Sequence, residues 1–346
     1  MRSLIPTRTS AVPSGLQTAG LVAGGLAVAM LYVRAQQRKV EHDNPPKGNF
    51  IHVDGVRLHY TERGDGPPLV LLHGNGLFNT DFDLSGLLDQ ASKSYRVITF
   101  DRPGFGYSER PDNNSWTPEA QARLFYQALH QMGVEHPIVL GHSWGTLVAL
   151  AMALEFPKYV RAITLVSGYY YRSMRPDVPI MATPAIPGIG HLMRYTVSPL
   201  LGRLMWPMLV KQMFGPAPVP ERFDQLPKWM SLRPSQLGAS ASETGMMIPA
   251  AKRLSQRYKE LTMPVAIIAG AGDRIADVDH NARRLHQEIS HSELIVDEGV
   301  GHMPHYANPE HIMDALSHID ATLLAAPDGG ANIQPAQAAN NPAALH

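Results

Sequence analysis

The chain has 346 residues, 44% of them hydrophobic, with 30 acidic and 30 basic side chains and a formal net charge of zero. That length suits one large α/β domain with appendages, and balanced charge without a dense basic run argues against a nucleic-acid or polyanion partner. There is no cysteine among its residues, which excludes disulfides, a thiol nucleophile and thiolate metal sites.

A short leader, residues 1–14, precedes the uncharged apolar run Gly15 to Val33. At 1.5 Å per residue this run reaches about 28 Å as a helix, close to the ~30 Å of a bilayer's hydrocarbon layer. A single-pass membrane anchor is therefore expected. The alternative is a signal peptide cleaved near Ala27-Val28-Ala29, which would leave a secreted or periplasmic protein. Residues 34–48 are polar and contain Pro45-Pro46, as a linker would.

The body is expected over residues 49–323. Phe50–Asp54 and Val56–Glu62 form a predicted hairpin. Leu69–Leu72 and Arg96–Phe100 are short apolar strands, ending in His73-Gly74-Asn75-Gly76 and in Asp101-Arg102-Pro103-Gly104. Thr117-Pro118-Glu119 opens an amphipathic helix reaching Met132, with proline in its first turn and an acid near its positive end. Further apolar strands follow at Ile138–Gly141, Ala162–Val166, Val265–Ala269 and Leu294–Val296. Apolar strands alternating with helices predict a mostly parallel, doubly wound sheet covered on both faces. The stretch 169–258 breaks that rhythm. It is rich in Pro and Met, contains no convincing strand, and is expected to be a helical cap inserted after the sixth strand. Residues 324–346, rich in Ala, Asn, Gln and Pro, are expected to be a disordered tail.

The chemistry centres on Pro137–Leu154, where a short strand meets an apolar helix through the turn Gly141-His142-Ser143-Trp144-Gly145. In such a turn the central residue adopts a strained positive-φ conformation that lifts its hydroxyl clear of the backbone. A serine hydroxyl needs a base to take its proton and an acid to hold that base in the right tautomer. Asp273 follows the strand Val265–Ala269, with Asp277 and Asp297 as rivals. His302 follows the strand Leu294–Val296, with His305 as its rival. Two backbone N–H groups must stabilise the oxyanion. They are expected from Trp144, beside the helix N-terminus, and from Asn75 in the loop after the third strand. His73 is expected to hold that loop in place. Among the histidines, the C-terminal group lacks a His-Glu-x-x-His or comparable ligand spacing, so no metal and no other cofactor is expected.

The motifs HGNG (73–76), DRPGFGYS (101–108), GHSWG (141–145), AGAGD (269–273) and GVGHMPHYANPE (299–310) together resemble the α/β-hydrolase superfamily, in its cap-bearing, serine-nucleophile branch. The resemblance covers roughly Phe50 to Leu323. It implies an eight-stranded sheet and the chain order Ser143, Asp273, His302. Relatives with aspartate in place of Ser143 are dehalogenases and epoxide hydrolases, which the serine argues against. The expected activity is hydrolysis of an ester, thioester or lactone of a largely apolar small molecule through an acyl-enzyme. Two other readings remain open on the same residues: a C–C bond hydrolase or cofactor-free haloperoxidase, and a non-catalytic ligand receptor.

Overall fold

The structure, a computed structural model, describes residues 15–112 and 114–325. The leader, and the expected disordered tail beyond Ala325, lie outside the described residues. Eight strands, β1 (Asn49–Val53), β2 (Val56–Arg63), β3 (Pro68–Leu72), β4 (Arg96–Phe100), β5 (Ile138–His142), β6 (Ala162–Val166), β7 (Val265–Gly270) and β8 (Glu293–Asp297), form one sheet. Their order is β1-β2-β4-β3-β5-β6-β7-β8. β2 pairs antiparallel with β1 and β4, and every other pairing is parallel. The principal helices are α1 (Gly15–Asp43), α2 (Pro118–Gln131), α3 (Gly145–Glu155), α4 (Ile189–Tyr195), α5 (Val197–Phe214), α6 (Pro234–Leu254) and α7 (Pro309–Ala325).

The sheet is covered on both faces because its strands are apolar on both. In β3, Val70 and Leu72 join the core under α2 and α3, while Leu69 and Leu71 join the core under α7. The same alternation recurs in β5 and β7, where Val139 and Ile267 face one core and Leu140 and Ile268 the other. Side chains of successive strand residues point to opposite faces, so each short apolar run feeds both layers. α2 begins where capping chemistry places it. The Thr117 side chain accepts from Ala120 N–H at 3.2 Å, and Pro118 occupies the first turn.

The cap is inserted after β6, as expected, and carries α4, α5, the short helix Lys228–Ser231 and α6 before the chain returns to β7. The N-terminal region departs from expectation. Residues 34–43, expected as part of a polar linker, continue α1 without a break. Val33 and Val40 lie two turns apart on one face, and both are buried. Arg233 of the cap pairs with Glu41 at 3.0 Å, and the Tyr107 hydroxyl donates to the Asn44 carbonyl. The polar residues of this stretch are good helix formers, and the cap supplies the packing that makes them helical.

Candidate active site

β5 is flanked in the sheet by β3 and β6, and its C-terminal end delivers Ser143 to the edge where doubly wound sheets bind ligands. Ser143 has φ of +52°, a conformation costly for a non-glycine residue and held here by its surroundings. Its N–H donates to the Val166 carbonyl at 2.9 Å. A Cβ on Gly145 would lie 2.2 Å from the Leu72 carbonyl oxygen, and one on Gly141 would lie 2.5 Å from that of Gly145. Only glycine lets the helix start this close to the sheet.

Three side chains converge at this turn. His302 Nε2 lies 2.8 Å from Ser143 Oγ, and His302 Nδ1 lies 2.7 Å from Asp273 Oδ2. With Nδ1–H donating to the carboxylate, Nε2 is left to accept from the serine hydroxyl. Asp273 Oδ1 accepts from the backbone N–H groups of Ile275 and Ala276 at 2.8 and 3.0 Å, which fixes the carboxylate's orientation. Asp273 and His302 are buried, and Ser143 is partly exposed. The rivals point elsewhere. Asp277 accepts from His280 N–H at 2.8 Å, Asp297 lies 2.5 Å from His311 Nδ1, and His305 Nε2 lies 3.0 Å from Asp81 Oδ2.

Among the described residues, neither the Asn75 N–H nor the Trp144 N–H is taken by an acceptor, the state an oxyanion hole requires. The loop carrying Asn75 is braced from several sides. His73 Nδ1–H donates to the Gly74 carbonyl at 2.8 Å, and its Nε2 accepts from Arg102 N–H at 2.9 Å. Burial, reinforced by the Arg102 charge, holds the His73 pKa well below the ordinary imidazole value. The ring is thus neutral, as this donor–acceptor pattern demands. The Asn75 side chain donates to the Ser240 carbonyl and to Thr244 Oγ1 on α6, at 3.2 and 3.1 Å.

Arg102 is a functional candidate to which sequence reasoning gave no role. It is fully buried, with its guanidinium 4.8 Å from the ring centroids of both Phe105 and Trp144. Nε donates to the His73 carbonyl at 2.8 Å and Nη2 to the Gly74 carbonyl at 3.2 Å. Its charge is matched by Glu243 on α6, also fully buried, which accepts from Nη1 and, at 3.0 Å, from Nη2. The Glu243 carbonyl in turn accepts from Trp144 Nε1–H at 3.1 Å. One arginine therefore ties the loop after β3, the turn after β5 and the cap helix together. The DRPGFGYS motif was the available signal for Arg102, but nothing in the sequence pointed to Glu243.

His142 was likewise given no role. Its Nε2–H donates to the His302 carbonyl at 3.0 Å, steadying the segment that carries His302. Burial, followed by the neighbouring His305 and His302, holds its pKa well below the ordinary value, so it stays neutral. Asp81, His142 and His305 offer atoms within 4.8 Å of one another, the composition of a metal site. The Asp81 oxygens already accept from His305 and from the Tyr306 hydroxyl, both at 3.0 Å. His142 is not hydrogen-bonded to Asp81 or His305; its ring packs on that of His305, with centroids 4.3 Å apart. A cleft of about 730 Å³ lies between the end of α1, the 104–116 segment and the cap, and an apolar cavity of about 190 Å³ lies beside Gly301. Neither is lined by Ser143, Asp273 or His302.

The fold and this site define a class, and comparison with known proteins agrees. The α/β hydrolase fold family matches residues 67–309, and the chain belongs to that family and is a hydrolase. It is 28% identical over 291 residues to an uncharacterised protein of Mycobacterium tuberculosis, covering 81% of this chain and 82% of the relative. It is 26% identical over 259 residues to a pimeloyl-[acyl-carrier protein] methyl ester esterase of Aeromonas hydrophila, covering 74% of this chain and 96% of that enzyme. A crystal structure of a membrane phospholipase A, described as a bacterial virulence factor, superposes with a TM-score of 0.62 at 20% identity, over 88% of this chain and 95% of that one. At that identity the likeness shows the fold.

Proposed function

We propose that the protein is a membrane-associated serine hydrolase that cleaves esters, thioesters or lactones of apolar acids through an acyl-enzyme. The observation carrying this reading is the hydrogen-bonded relay from Ser143 through His302 to Asp273 at a positive-φ turn. In this mechanism Ser143 Oγ attacks the carbonyl carbon while His302 Nε2 takes the hydroxyl proton. The Asn75 and Trp144 N–H groups receive the oxyanion, and His302 returns the proton to the leaving group. Water then enters, gives a proton to His302 and releases the acid from Ser143. Asp273 holds the imidazole tautomer and offsets its transient positive charge.

The preference for apolar acids rests on the Met-, Leu- and Pro-rich cap, and on Trp144, Tyr169, Tyr170 and Tyr171, all buried around the cap's root. Membrane association rests on α1, in which Gln17–Asp43 is long and apolar enough to cross a bilayer and is 6% buried over its apolar window. A fluorophosphonate probe tests the chemistry, since it should label the wild-type chain and leave Ser143→Ala unlabelled. Labelling that survives the substitution refutes the assignment. A p-nitrophenyl ester series tests the specificity. Each buried methylene contributes ~0.8 kcal/mol, so kcat/KM should climb from acetyl to octanoyl, and a flat profile would remove the apolar preference.

A further inference from the structure

The cap turns apolar side chains outward. On α5, Val197, Leu201, Leu204 and Met208 are all exposed, Leu204 by 78%, and their three- and four-residue spacing makes one stripe along the helix. Ile180 and Ile189, 70% and 68% exposed, extend the apolar surface upstream. An ordinary surface helix turns such a stripe toward the core. Here Pro199, Val210 and Phe214 occupy the buried side of α5, and the apolar stripe is left over.

Two further observations identify what covers it. The first is charge: between Asp177 and Glu221 the chain has no acidic residue, while Arg194, Arg203 and Lys211 are basic. An acid-free, cationic and apolar surface matches lipid acyl chains beneath phosphate headgroups. The second is continuity. α1 packs against α4, α5 and the Lys228–Ser231 helix, so the membrane-length helix lies directly on the helices that carry the exposed cap face. Where α1 leaves its apolar stretch, Tyr32 meets Trp229 edge-on at 5.9 Å. Nearby, the Arg34 guanidinium lies 5.8 Å from the Tyr195 ring and that of Arg203 lies 5.9 Å from Trp229. Tyrosine, tryptophan and arginine are the residues that settle at headgroup depth.

We propose that the exposed apolar face of the cap, from Ile180 through Met208, inserts into the surface of the phospholipid bilayer that α1 enters. The cap then docks on the membrane, and the body does not hang from a flexible stalk. This rests on the reading of α1 as a membrane helix, and the two are separable by experiment.

Because the chain lacks cysteine, single labelling sites carry no background. Leu21→Cys in α1, Leu204→Cys and Ile189→Cys on the cap, and Lys93→Cys at the opposite sheet edge would each be labelled with an environment-sensitive fluorophore. The full-length chains are then reconstituted into phosphatidylcholine–phosphatidylglycerol vesicles. At Leu21, Leu204 and Ile189 the emission should shift to the blue, lose intensity when doxyl-labelled lipid is included, and resist aqueous iodide. At Lys93 it should respond to iodide alone. If Leu21 is lipid-quenched while Leu204 and Ile189 answer to iodide, the cap docking is refuted and the anchor stands. If Leu21 also answers to iodide, the membrane reading falls and takes the proposal with it. Cap sites shielded from both quenchers would mean that a second copy of the chain covers the face, which also overturns it.

Discussion

Replacing Glu243 by glutamine removes one charge from the pair that joins the cap to the loop after β3 while nearly preserving its shape. Glu243 accepts three hydrogen bonds, two from Arg102 and one from Gln121. A glutamine has one acceptor oxygen and an NH₂, so at least one donor would face a donor. Both partners are fully buried, and stripping one partner from such a pair costs about 3–5 kcal/mol because the other charge is left uncompensated. At roughly 2 °C per kcal/mol for a chain of this size, Tm should fall by about 6–10 °C. Activity should fall too, since Arg102 also holds the His73 and Gly74 carbonyls. Displacing the loop with Asn75 should cost on the order of 10²-fold in kcat. The double variant Arg102→Met/Glu243→Leu separates the effects. With both charges gone most of the Tm should return, but the loop still lacks its clamp, so kcat should remain low. Calorimetry and p-nitrophenyl ester turnover on the three proteins measure both. An unchanged Tm in Glu243→Gln, or full turnover in the double variant, would refute the reasoning.

Ser143→Ala should lower kcat by roughly 10⁶-fold while leaving Tm unchanged, because the hydroxyl has little packing to lose. Asp273→Asn should cost on the order of 10⁴ in kcat by releasing the wrong imidazole tautomer, whereas Asp277→Asn should leave kcat intact because that carboxylate caps His280 N–H; the reverse ranking would name the other acid. His73 and His142 stay neutral when folded, with pKa values lowered chiefly by burial, whereas the unfolded chain takes up these protons near pH ~6.5. Their contribution to stability is therefore full above that pH and lost as pH falls toward the folded pKa values. His311 works the other way, its pKa raised by the bond to Asp297, but its side chain is 43% exposed and solvent screening leaves it little weight. Melting curves should show Tm dropping from about pH 7.5 to about pH 5.5, and His142→Gln, which can still donate to the His302 carbonyl, should flatten part of that drop. Full-length protein should stay in the pellet through alkaline carbonate and dissolve in detergent, and its recovery in the carbonate supernatant would count against α1 as a membrane helix.

The sheet was legible because strands buried on both faces are written as unbroken apolar runs. Arg96–Phe100 and Ala162–Val166 emerge with the bounds their composition suggested. Ser143, Asp273 and His302 stood out because each follows such a run, and the topology brings the ends of parallel strands to one edge. The cap was legible as a helical insertion after the sixth strand, but α6 within it was not, for the opposite reason. α6 contains Gly238, Gly245 and Pro249, which local propensity counts against a helix, and only its packing on α4 and the site loops makes it one. The Arg102–Glu243 pair spans 141 residues, and no spacing rule reaches that far. The continuation of α1 did leave a trace: Val33 and Val40, seven residues apart, share a helical face amid polar neighbours.

The buried arginine also decides by which route a substrate can enter. Arg102 and Glu243 are both fully buried, so swinging α6 away would strand the guanidinium in an apolar site without its carboxylate. This half of the cap is held by the same contacts that brace the loop carrying Asn75. The segment from Arg172 to Gly188 is held differently: it packs on α6, Ser173 N–H donates to the Tyr169 hydroxyl at 2.7 Å and Arg175 donates to the Ile275 carbonyl at 3.1 Å. A substrate's route must therefore lie away from the Arg102–Glu243 pair, elsewhere along the cap.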